Sequence, residues 1–233
     1  MTAPAVEAGA EVPAPPRPRA ILWDWDNTLV DGWAAIAAGL NAAFAAFGLP
    51  AWTVAETKGR VRRSLRESFP EIFGGEWERA RDLFYAEVRA RHLAVLAPMP
   101  GAEAALRAAA RWPQGVVSNK QGPLLRAEAA HLGWGGYFGA LVGAGDAASD
   151  KPDPAPFRMA LAPLGIEPGP AVWYVGDTGI DIQGARAAGC TAVLLGDAAH
   201  DGGVASLAPD AAFPDAPALA RHLETLARLE TLA

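Results

Sequence analysis

The stretch Ala20-Ile21-Leu22-Trp23-Asp24-Trp25-Asp26-Asn27-Thr28 decides the fold. Four apolar residues make a run of strand length, buried on both faces, which breaks at once into a polar cluster. The arrangement recurs downstream. Val116-Val117 runs into Ser118-Asn119-Lys120, Leu141-Val142 into a loop carrying Lys151-Pro152, and the run 171–175 into Gly176-Asp177-Thr178-Gly179-Ile180-Asp181. Between these strands, apolar residues at helical spacing predict helices over 103–112, 124–132, 156–164 and 180–188. Further strands are expected at 140–143, 191–195 and 211–213. Such alternation predicts an α/β fold, a Rossmann-like parallel sheet with helices on both faces.

One segment departs from the alternation. Trp33, Ile36, Ala37, Leu40, Phe44 and Phe47 recur at helical spacing and stop at Gly48 and Pro50. Thr53 and Glu56 form a capping box that opens a second helix, and a third is expected over 76–93. The expected organisation is therefore an all-helical cap at 32–97, inserted after the first strand of a core built from 20–31 and 98–233. Residues 1–19, with five prolines, are expected to be a flexible leader. A short duplication, Leu223-Glu-Thr-Leu-Ala227 and Leu229-Glu-Thr-Leu-Ala233, reads as the end of a surface helix.

Composition narrows the function classes. The 233 residues are 51% hydrophobic and 20% charged, enough for a core and incompatible with disorder throughout. With 20 basic against 26 acidic side chains the net charge is −6, which argues against a nucleic-acid partner. No apolar run reaches membrane-spanning length, so no membrane partner is expected and the cytoplasm is the default compartment. Cys190 stands alone, which excludes an intrachain disulfide and a cysteine-based metal site. The oligomeric state stays open.

In an open parallel sheet the loops after the strands converge on one crevice, so Asp24, Asp26, Ser118, Lys151 and Asp177 become neighbours. Two carboxylates about 4 Å apart repel by roughly 4 kcal/mol at an effective dielectric near 20, so this cluster needs a compensating cation. All-oxygen ligands favour Mg²⁺. Together with the Lys151 ammonium and the Ser118 hydroxyl, such a site suits phosphoryl transfer.

In order and spacing these clusters resemble the haloacid dehalogenase superfamily, in its phosphoglycolate-phosphatase-like branch with a helical cap. The resemblance spans about 20–195. It rests on DxDxT at Asp24 to Thr28, the strand-end Ser118, Lys151 before proline, and GDxxxD from Gly176 to Asp181. It implies Asp24 as nucleophile and Asp26 as general acid and base. It also implies Mg²⁺ held by Asp24, the main-chain carbonyl of Asp26, and Asp177, with Asp181 orienting that set. Thr28 and Asn119 are expected to bind substrate. Trp25 and Asn27 depart from the family pattern, where Phe or Leu, and Gly, are commoner.

Taken singly, Asp177 and Ser118 could be helix caps and Lys151 a solvated loop residue. In the basic run from Lys58 to Arg66, an apolar stripe of Val54, Val61, Leu65 and Phe69 places Lys58 and Arg62 beside it and turns Arg60 away. Lys58 and Arg62 are thus candidates for the far end of the substrate, with ion pairing to Glu56 or Glu67 as the alternative. The segment from Gly143 to Ala148 fits a relaxed GxGxxA pattern, but Lys151-Pro152-Asp153-Pro154 follows where a dinucleotide site needs a helix. The expected activity is Mg²⁺-dependent hydrolysis of a small phosphorylated metabolite, 2-phosphoglycolate first. A sugar-phosphate mutase and a non-catalytic phosphate-binding module are the alternatives.

Overall fold

The computed structural model describes residues 15–61 and 65–231. The chain opens with β1 (Ala20–Trp23) and the two-residue β2 (Val30–Asp31), followed by helices α1 (Trp33–Ala46), α2 (Val54–Arg60), α3 (Leu65–Phe73) and α4 (Trp77–Val95). After β3 (Ala97–Pro98), strands and helices alternate: α5 (Ala102–Ala108), β4 (Gln114–Gln121), α6 (Gly122–His131), β5 (Ala140–Ala144) and α7 (Ala155–Leu161). The remainder is β6 (Val172–Gly176), α8 (Gly179–Ala187), β7 (Thr191–Leu195), α9 (Gly203–Leu207), β8 (Ala211–Phe213) and α10 (Ala216–Thr231). The main sheet is parallel in the order β5-β4-β1-β6-β7-β8, so β1 lies where the strand order reverses.

Strand residues alternate between two separate cores, as the period of two demands. Ile21, Trp23, Val116, Trp173, Val175 and Val193 face one side, where α5, α6 and α10 supply Leu106, Leu125 and Leu219. Leu22, Val117, Tyr174, Ala192 and Leu194 face the other, against Phe157 and Leu161 of α7 and Ile182 of α8. With both faces covered, every β1 residue is fully buried.

Helices α1, α3 and α4 have a core of their own: Leu40, Phe44, Phe69, Phe73, Phe84 and Val88, closed from below by Leu124 of α6. Gly39 lets α1 and α4 meet, because a Cβ there would lie 2.7 Å from the Phe84 ring. The antiparallel pair β2 and β3, too short to show any sequence period, brings the two connections of this helical segment together. The Thr53–Glu56 capping box forms as expected. One predicted helix resolves instead into α2 and α3, since α2 ends at Arg60 and Val61 is extended.

Leu22 has no exposed surface and sits in the central strand, so Leu22→Ala should cost about 2–5 kcal/mol. Met159→Ala, at a residue 44% exposed, should stay within about 0.5 kcal/mol. Urea unfolding midpoints of the two variants check the contrast.

Candidate active site

Register places the first site residues. Trp23 pairs laterally with Val116 on one side and Val175 on the other, and the Asp24 N–H donates to the Val175 carbonyl at 2.8 Å. Asp24 therefore leaves the sheet level with Val117 and Gly176, the residues just before Ser118 and Asp177. Lys151 comes from the loop after β5. Its backbone is held by a reciprocal amide pair in which Lys151 N donates to Asn119 Oδ1 (2.9 Å) and Asn119 Nδ2 donates to the Lys151 carbonyl (3.1 Å).

The buried Lys151 ammonium donates to Asp24 Oδ1 (2.6 Å), Asp181 Oδ1 (2.7 Å) and the Tyr174 hydroxyl (2.8 Å). All three of its protons are thereby engaged. Burial disfavours its charge, but Asp181 and Asp24 outweigh that and hold it firmly protonated. Asp181 is likewise kept ionised against its burial, by Lys151 and by the Thr178 hydroxyl and N–H. Asp24 is pushed up to about 7 by burial, opposed by Lys151 and reinforced by Asp181 and Asp26. Burial and the carboxylates of Asp181 and Asp24 also raise Asp177 well above its ordinary value.

Asp24, Asp177 and Asp181 each offer an oxygen within 4.8 Å of the others, a grouping that could hold a metal ion. Three carboxylates share one lysine, and two of them are forced toward neutrality. That imbalance fits a hard divalent cation with oxygen ligands. Asp181 is already occupied by four donors: Lys151, the Thr178 hydroxyl and the N–H groups of Asp177 and Thr178. Its oxygens are engaged in placing the others, so within this group Asp24 and Asp177 keep the more accessible oxygens that could hold an ion.

A cavity of about 540 Å³ opens above these groups. Asp24, Asp26, Ser118, Asn119, Lys120, Lys151 and Asp177 line its floor, while Ile36, Leu40, Trp52, Phe84 and Val88 supply apolar walls from the helical segment. Gly32 touches the floor because a Cβ there would collide with the Asp26 carboxylate.

Several expected site residues sit differently from the expectation. Thr28 is fully buried, does not line the cavity, and turns its hydroxyl to Asp177 Oδ1 (3.0 Å) and Asp24 Oδ2 (3.4 Å). The Asn119 amide is committed to Lys151. Lys58 is exposed and lies off the cavity, whereas Arg60 lines it. The reason is that the buried position of α2 is Thr57, not Val54; Arg60 follows Thr57 by three residues on the same face, and Lys58 is turned about 100° from it. Arg60 lies 4.9 Å over the Trp52 ring and pairs with Glu56 at 3.4 Å. Arg62 lies outside the described residues. Asn27 has φ +66°, a left-handed conformation that Gly adopts freely and Asn tolerates, which accounts for that departure from the family pattern.

Without metal, the shift at Asp24 sets a pH dependence. Between its ordinary 3.8 and about 7 the folded chain keeps a proton that the unfolded chain has lost, so stability falls as pH rises through that window and then levels off. Relative to Asp24→Asn, the wild type in EDTA should lose stability from about pH 4 to about pH 7. Millimolar Mg²⁺ should raise its denaturation midpoint more at about pH 8 than at about pH 5. Parallel pH profiles for the two proteins would contradict this.

Comparison with known proteins follows the geometry. A family model described as haloacid dehalogenase-like hydrolase matches residues 21–195. The chain is 34% identical over 183 residues to a phosphoglycolate phosphatase of Xylella fastidiosa, covering 76% of this chain and 80% of that one. A phosphoglycolate phosphatase of Yersinia pestis is 32% identical over 187 residues, with the same shares. Among solved structures, a haloacid dehalogenase-superfamily hydrolase from Ehrlichia chaffeensis superposes with a TM-score of 0.62 at 25% identity, covering 91% of this chain and 98% of its own. A haloacid dehalogenase-like hydrolase from Streptococcus pneumoniae gives 0.76 at 22% identity with the same coverage. With a parallel sheet of that topology and the four motifs at its carboxyl edge, the chain belongs to the haloacid dehalogenase-like hydrolases.

Proposed function

We propose that the chain is a Mg²⁺-dependent phosphomonoester hydrolase acting on a small phosphorylated metabolite, with 2-phosphoglycolate as the first substrate. The observation that carries this is the pairing of two unlike carboxylates on one cavity floor: Asp24, buried against Lys151, and Asp26, a quarter exposed. Asp24 is the nucleophile. An oxygen of its carboxylate bonds to phosphorus as the ester oxygen leaves, and Asp26 gives that oxygen its proton. Asp26 then takes a proton from water, whose oxygen attacks phosphorus and restores Asp24. Lys151 and Ser118 neutralise and orient the phosphoryl oxygens. Asp24, Asp177 and the Asp26 carbonyl would hold Mg²⁺, which would supply charge neutralisation for the phosphoryl group.

On the cap side, Arg60 is the cation suited to a carboxylate on the leaving group, as in glycolate. The apolar walls favour a second reading, a leaving group bulkier than glycolate. Among the described residues no helix is long and apolar enough to cross a membrane.

Phosphate release from 2-phosphoglycolate, sugar phosphates and 4-nitrophenyl phosphate should require Mg²⁺, stop in EDTA, and fall by about 10³-fold or more in Asp24→Asn. Interconversion of sugar phosphates without phosphate release would favour a mutase. Binding of phosphorylated ligands without turnover would favour a regulatory module. Arg60→Met should raise KM for 2-phosphoglycolate by about 10-fold, the loss expected for one hydrogen bond to a charged group, and leave 4-nitrophenyl phosphate unchanged.

A further inference from the structure

A second buried charge network lies on the opposite side of β1 from Lys151. Glu128 of α6 has no exposed surface, yet it is a carboxylate. The Trp25 indole donates to its Oε2 at 2.6 Å, the Lys120 ammonium lies 2.8 Å from the same oxygen, and His92 Nδ1 lies 2.7 Å from Oε1. Lys120 also donates to Asp26 Oδ1 at 2.7 Å. An unbroken chain of side chains thus runs from His92, near the end of α4 in the helical segment, through Glu128 and Lys120 to Asp26. Glu128, His92 and Trp25 do not line the cavity, so whatever they contribute reaches the substrate only through Lys120 and Asp26.

Two physical facts give this chain a task. A buried carboxylate costs several kcal/mol unless paired, so Glu128 holds the end of a flexible lysine stem with a force that a surface ion pair lacks. Burial works against the Lys120 charge, but Asp26 and Glu128 outweigh it and keep the ammonium protonated. Asp26, in contrast, follows β1 on a turn next to the left-handed Asn27, and among the described residues Lys120 is the donor that fixes its carboxylate. With Oδ1 accepting from a permanent cation, Oδ2 is the oxygen left to carry the transferable proton. Trp25 also finds its reason here, since Phe or Leu would pack in the same place but leave Glu128 without its N–H donor.

We propose that Lys120, anchored by Glu128, is the positioning residue that orients the Asp26 carboxylate for protonation of the leaving oxygen, and that His92 ties this anchor to the helical cap. The inference rests on the phosphatase reading. In the step concerned, the bond from phosphorus to the ester oxygen breaks, its electron pair stays on that oxygen, and the proton on Asp26 Oδ2 moves to it.

The test is the dependence of kcat/KM on the leaving group, which a purely structural role would not alter. A nitrophenolate departs without a proton, whereas an alkoxide needs one. In Mg²⁺-loaded protein, Lys120→Met should lose about 100-fold on 2-phosphoglycolate and glycerol phosphate, but under about 3-fold on 4-nitrophenyl phosphate. His92→Phe should show the same asymmetry, at about 10-fold. Should Lys120→Met fail to fold, the double variant with Glu128→Gln removes both buried charges and is read the same way. Equal losses on all esters, or none, would overturn the proposal while leaving the phosphatase reading intact. A folded wild type that hydrolyses no ester would overturn both.

Discussion

The Lys151 ammonium is the group on which the rest of the site depends. It is buried together with Asp24 and Asp181 and lies within 2.7 Å of an oxygen of each. Removing one member of such a cluster leaves a buried charge unpaired, at a cost of about 3–5 kcal/mol. That penalty explains how much structure converges on one atom. The Asn119 amide clamps the lysine backbone, Tyr174 meets its third proton, and the Tyr174 hydroxyl is itself positioned by the Val117 carbonyl at 2.8 Å. Three strands and the loop after a fourth therefore share one electrostatic constraint, and a small slip of any of them would break it.

The helical segment is bound into the same logic. It leaves and rejoins the core through β2 and β3, which pair with each other, so its two connections act as one narrow neck. Beyond the neck its aromatic core borrows Leu124 from α6, and one turn further along the same helix Glu128 receives His92. An apolar contact and a buried polar one thus fix the segment over the cavity from the same helix. The apolar contact supplies general adhesion, while the polar one admits a single geometry.

Much of this was legible in the sequence because the deciding signals are local. Apolar runs ending in Asp24, Ser118 and Asp177 reveal both the strands and the edge where they deliver chemistry, and parallel register then brings distant loops together without further information. What escaped depends on contacts between segments. Glu128 reads as a surface carboxylate until its neighbours Leu124, Leu125 and Ala129 are seen to be buried with it. His92 continues the inward row of Ala80, Phe84 and Val88. Each was a polar residue on an apolar face, a visible signal, but nothing along the chain says that the two faces meet. The exchange of Lys58 for Arg60 has another origin. Projecting a helical stripe through 54, 61, 65 and 69 assumes one continuous helix, and α2 ends at Arg60.

The two lysines also give neighbouring carboxylates different surroundings. Asp24 and Asp26 are separated by one residue at the end of β1, and each meets its own ammonium. Asp24 meets Lys151, whose charge is shared with Asp181 inside a buried cluster where further negative charge is already unfavourable. Asp26 meets Lys120, whose charge is shared with Glu128 on the far side, leaving one carboxylate oxygen toward the cavity. A nucleophile must stay unprotonated and anchored, whereas an acid and base must exchange its proton with whatever lies above it. Burial with a cation and two competing carboxylates suits the first demand once a divalent ion is present. Partial exposure with one oxygen tethered suits the second, so under the proposed mechanism the two roles follow from which lysine each carboxylate meets.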